Sequence, residues 1–166
     1  MKSPQKQIAF FLTALALVLT GGGAGAEPPK RLGSLPLLHA SQGKEALQEI
    51  NRLHGKEVGT EDGYVAHYEK DGAAAMLYLA QASSKDQAAR QLKQMSDRIQ
   101  KGGSPFYHLK TSKQGETTLY SALGQGQIHY FYQRDSNVVW LAVDAPIAKQ
   151  TVAALLDQHE TVRNDE

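Results

Sequence analysis

Two stretches of this chain, Tyr64 to Gln81 and Gln127 to Asp144, restrict its fold more than any other feature. Each alternates apolar and polar residues, breaks at a short polar turn and alternates again, which is the pattern of a half-buried strand doubling back on itself. They also echo each other at a constant offset. His67-Tyr68 stands under His129-Tyr130, and Met76-Leu77-Tyr78-Leu79-Ala80 under Val138-Val139-Trp140-Leu141-Ala142, with the same seven-residue gap. We read them as a duplicated β-hairpin. Asp71-Gly72 suits a two-residue turn whose central positions both need positive φ, and Asp135-Ser136 serves the second copy. Turns placed there put Tyr64, Ala66 and Tyr68 on one face with Leu77 and Leu79, and Ile128, Tyr130 and Tyr132 with Val139, Leu141 and Val143. The opposite face carries Val65, His67, Met76 and Tyr78 from the first copy and His129, Phe131, Val138 and Trp140 from the second.

The segments around the hairpins complete the fold class. A helix is expected from Ser41 to His54-Gly55, with Ala46, Leu47, Ile50 and Leu53 on one stripe. Ser83 or Ser84 caps a second helix that runs to Gln100 and buries Ala88, Leu92, Met95 and Ile99. Phe106 to Lys110 and Thr117 to Leu123 read as strands, and Pro146 fits the first turn of a last helix through Leu156. Consecutive strands joined by short turns make an antiparallel sheet whose helices must bury their stripes. The expectation is therefore a single α+β domain over residues 41–158: one antiparallel sheet built from a duplicated ββα unit, with helices packed mainly on one face. Residues 27–40, which include Leu35-Pro36-Leu37-Leu38, form a flexible or tethered N-terminal lead, and 159–166 a frayed C-terminal tail.

The segment from Met1 to Ala26 determines where such a domain works. Lys2 and Lys6 precede a 13-residue apolar core from Ile8 to Thr20, and Ala24-Gly25-Ala26 follows. A charged start, a short apolar middle and an Ala-x-Ala end make a cleavable secretory signal peptide, cut between Ala26 and Glu27. A spanning helix needs about 20 apolar residues. The expected product is periplasmic or secreted and has no membrane span. With no cysteine in the chain, lipid attachment through cysteine, disulfides and thiolate metal sites are excluded. Losing Lys2 and Lys6 turns the whole-chain charge of +1 into −1 for the chain from Glu27 onward. That balance offers no basic stripe for nucleic acid and no polybasic surface for anionic lipid.

Catalytic motifs are absent or incomplete. Ser41-x-x-Lys44 has the spacing of the serine–lysine pair of penicillin-interacting enzymes, and Lys110-Thr111-Ser112 nearly matches their second element. The third element is missing, because Asp135-Ser136-Asn137 is used as a turn, and Ser41 reads as a helix N-cap. Gly43-Lys44-Glu45 lacks the other residues of a phosphate loop, and His159-Glu160 lacks the second histidine of a zinc-protease helix. Glu61-Asp62 reads as an exposed turn, and no Gly-x-Ser-x-Gly elbow occurs.

What remains is the shared histidine and aromatic face. It is too apolar to face water, so a domain layer, a partner or a ligand must cover it, and the helix from Ser41 is the nearest cover. The sequence points to a non-catalytic binding or accessory domain that contacts a protein or a small apolar ligand through His67, Met76, Tyr78, His129, Phe131 and Trp140. No cofactor is needed for that reading. The alternative is a haem or divalent transition-metal site shared by His67 and His129, since neutral imidazole is a common metal ligand.

Overall fold

A computed structural model describes residues 26–54 and 59–164, with side chains described as far as Gln158. The expected signal segment before Ala26 and Gly55, the glycine expected to end the first helix, lie outside the described residues. Eight strands form one antiparallel sheet: β1 (Arg31–Leu32), β2 (Leu35–Gln42), β3 (Thr60–Lys70), β4 (Ala73–Ala82), β5 (Tyr107–Gln114), β6 (Thr117–Gly124), β7 (Gln127–Arg134) and β8 (Asn137–Val143). Across the sheet the order is β1-β2-β3-β4-β8-β7-β6-β5. Helix α1 (Gly43–His54) joins β2 to β3, and α2 (Lys85–Gln100) joins β4 to β5. After β8, α3 (Ala148–Asn164) follows a single 3-10 turn at Ala145–Ile147 that contains Pro146. The domain is α+β, as expected.

Both hairpin turns sit where the sequence puts them. Asp71 and Gly72 take φ of 53° and 79°, the two left-handed positions a two-residue turn requires, and Asp135 takes 50°. The resulting pairings set Tyr64 opposite Leu79 and Tyr130 opposite Leu141, so both expected face assignments follow. The seven-residue gap is divided differently in the two copies. Two residues separate Tyr68 from the first turn, whereas four separate Tyr130 from the second. His67 consequently pairs with Met76, while His129 pairs with Ala142 and not with Val138, the residue matched to Met76 in the second copy. The two histidines share a face but are not equivalent within their hairpins.

The two halves meet at β4 and β8, where Leu77 faces Leu141 and Tyr78 faces Trp140. One face of the sheet buries Tyr64, Tyr68, Leu77, Tyr132, Val139, Leu141 and Val143 under Ala148, Val152 and Leu155 of α3. On the other face, α1 sets Ala46 and Ile50 on Val65, and α2 sets Ala88, Leu92 and Ile99 on Phe131, Val138 and Ala122. Two of the three helices, α1 and α2, thus share one face, while α3 lies on the opposite one. The reason is compositional: both faces are apolar across the central strands, and each requires a layer.

The N-terminal lead is part of this architecture. Leu32 and Leu35 are 0% and 2% exposed, and Leu37 to Gln42 pair with β3. The Tyr68 hydroxyl donates to the Pro29 carbonyl at 2.8 Å, and the Gln158 side chain donates to the Arg31 carbonyl at 3.1 Å. Ser41 belongs to β2 and caps no helix; it is buried and its hydroxyl donates to Glu49 of α1 at 3.1 Å. The chain turns from β2 into α1 at Gly43, whose φ of 53° suits a residue without a β-carbon. At α2 the cap is as expected, with Ser84 Oγ accepting from the Gln87 amide at 3.1 Å. Leu53, placed on the buried stripe of α1, is 62% exposed.

Candidate functional site

Pairing across adjacent strands arranges the histidine and aromatic face into two rows. The first runs Ser41, Val65, Tyr78, Trp140, Phe131, Tyr120 from β2 to β6; the second runs His39, His67, Met76, Ala142, His129, Ala122. Helix α1 packs on β2, β3 and β4, and α2 on β4, β5, β7 and β8. Both ends of the first row and the β6 end of the second are thus roofed, whereas His39 at the β2 end of the second row is exposed. Val65 and Phe131 are fully buried, whereas Tyr78, Met76, Ala80, Trp140 and His67 are only half-buried. The result is a partly open strip over β4 and β8, between the helices, with an aromatic floor.

Of the six residues selected from the sequence, two belong to the covered side. Phe131 stacks between Tyr120 (ring centroids 5.1 Å, 13° between planes) and Trp140 (4.7 Å, 15°). Offset aromatic pairs of this kind add about 0.5 to 1.5 kcal/mol beyond their buried area. His129 is 2% exposed, and both its nitrogens are engaged. Nε2 lies 2.9 Å from the Gly124 carbonyl, which only accepts, so Nε2 carries the proton. Nδ1 accepts from the Trp140 indole at 3.1 Å. The imidazole is therefore the neutral Nε2-protonated tautomer. Burial holds its pKa below the ordinary 6.5, partly offset by the Gly124 hydrogen bond.

Phe106, in the loop after α2, closes this corner. Its ring centroid is 4.6 Å from that of His129 and 5.0 Å from that of Trp140. A β-carbon on Gly124 would stand 2.5 Å from Phe106 Cδ1, so the glycine is what admits the ring. Neither Phe106 nor Tyr120 was selected from the sequence, and neither lies in a repeated segment. The cue available was local: Phe106 follows Gly102-Gly103-Ser104-Pro105, a stretch that must fold back over something.

The remaining four residues line the strip. The Tyr78 hydroxyl donates to Met76 Sδ, and burial, assisted by the Glu49 charge, pushes the Tyr78 pKa up to about 12. His67 faces Met76 on one side and His39 on the other. His39 falls in the stretch read as a tether and was missed for that reason.

A metal or haem shared by His67 and His129 does not fit this geometry. Strands β4 and β8 lie between them, three spacings of about 4.8 Å. His129 has no nitrogen left to ligate. Among the described residues no three His, Cys, Asp or Glu side chains are grouped to hold a metal ion, and no helix is long and apolar enough to cross a membrane. The chain matches no protein-family model, no curated protein and no solved structure, so the reading of the site rests on its own geometry.

Proposed function

We propose that this is an exported, non-catalytic binding or accessory domain whose contact surface is the strip formed by Tyr78, Met76, Trp140 and His67. The observation that carries this reading is the half-buried Tyr78–Trp140 pair at the centre of a face that α1 and α2 otherwise roof. Two large aromatic side chains with polar tips, side by side and partly open, suit a small apolar ligand better than a charged one. His129 and Phe131 act from behind, holding Trp140 by a hydrogen bond and a stacked ring. The strip also supports descent from a duplicated hairpin, because Tyr78 and Trp140, which hold matching positions in the two copies, oppose each other where the halves meet. The duplication covers the strands and not the helices that follow them.

Binding is tested with N-phenyl-1-naphthylamine, an uncharged apolar aromatic probe. Trp140→Ala should abolish dye binding while costing less stability than Phe131→Ala, for which full burial implies about 3 to 5 kcal/mol. Equal destabilisation by both, with dye binding lost only on unfolding, would assign the strip to the core. Export is tested separately by the mass of the product in its native host, which should begin at Glu27; a product retaining Met1 to Ala26 would contradict it.

A further inference from the structure

His39 of β2, His67 of β3 and Met76 of β4 stand side by side on one sheet face: His39 pairs with His67, and His67 with Met76. Directly opposed residues of an antiparallel pair project to the same side with Cα atoms about 4.5 to 5.5 Å apart. The two imidazoles have ring centroids 6.0 Å apart and planes tilted by 46°. An ion bonded at about 2 Å to one nitrogen of each ring fits that separation after modest ring rotation. His39 is exposed and His67 half-buried, so an ion can enter from solvent. Met76 is half-buried behind them, and its unbranched side chain lets the sulfur reach back along the row. The Tyr78 hydroxyl donates to that sulfur, which retains a second lone pair.

We propose that His39, His67 and Met76 form a copper site that favours Cu(I). The donor set selects the metal. A thioether is a soft ligand that suits Cu(I), imidazole suits copper among others, and three neutral donors with no carboxylate offer little to Mg²⁺ or Ca²⁺. Three ligands also satisfy Cu(I), which does not demand a fourth. The site is distinct from the His67–His129 pairing excluded above, since His129 is sealed under Phe106. It does not rest on the strip being a ligand surface, although His67 and Met76 belong to both.

The test is anaerobic competition for Cu(I) between the purified, untagged protein and a chromophoric chelator. Wild type should take up one equivalent, with a sulfur neighbour visible in copper X-ray absorption. His39→Ala alters an exposed side chain, and Met76→Leu conserves volume, so both variants keep the fold. Loss of an outer-shell partner already weakens metal sites about 10- to 100-fold, so His39→Ala, His67→Ala and Met76→Leu should each weaken Cu(I) at least 10-fold. His108→Ala, on β5 and outside the row, should leave uptake unchanged. Absence of stoichiometric uptake, no sulfur neighbour, or affinity unaffected by His39→Ala or Met76→Leu would overturn the proposal.

Discussion

His129 shows how one residue is fixed by three neighbours, none of them adjacent to it in the sequence. Gly124 supplies the acceptor, Trp140 the donor and Phe106 the lid, so protonating the ring would forfeit the Trp140 hydrogen bond and bury a charge away from water. Its folded pKa lies below the ordinary 6.5. As pH falls, the unfolded chain therefore takes up the proton first. The contribution of neutral His129 is complete above about pH 6.5 and declines as pH drops toward the lowered folded value. We expect His129→Gln, which can still donate to Gly124 and accept from Trp140, to flatten that part of the stability–pH curve in denaturant titrations. An unchanged acid slope would show that His129 is not the group responsible. The position of His129 on the sheet face was legible from alternation alone. Its engagement was not, because Phe106 arrives from a loop without periodicity and through a glycine whose role depends on a close approach.

At the scale of elements, strands β3, β4, β7 and β8 were legible because alternation and turn chemistry agree, and pairing fixes which residues face α3. Leu141 is fully buried in that layer, opposite Leu77 and among Tyr64, Tyr132 and Leu155. Leu141→Ala should cost about 2 to 5 kcal/mol in equilibrium unfolding, and a loss under about 1 kcal/mol would mean that the layer can collapse around the deletion. Strand β2 was not legible. A register shift between Leu37 and His39 interrupts its alternation, and Pro36 marks it as a poor strand although β1 flanks it. The face chosen by α2 was equally hidden. Ala88, Leu92 and Ile99 state that the helix has an apolar stripe, not which of two apolar sheet faces receives it.

Over the whole molecule, a sheet apolar on both sides is covered by α3 on one side and by α1 and α2 on the other, and the second cover is incomplete. The incomplete part coincides with the seam where β4 meets β8, so the candidate surface belongs to neither half alone. Alternation supplied the face, but its division into roofed ends and an open middle depends on helix placement and was out of reach of the sequence. Trp140 is the only tryptophan in the chain and stands at the centre of this strip, which makes it a native reporter. Ala80, half-buried on the same floor at the edge of the α1 layer, allows the strip to be charged while Tyr78 and Trp140 are kept. The most direct measurement is therefore Trp140 emission during titration with N-phenyl-1-naphthylamine, in wild type and in Ala80→Glu. The account predicts saturable quenching at a single site in wild type and none in the folded variant. Dye binding that leaves Trp140 emission unchanged, or identical quenching in Ala80→Glu, would contradict it.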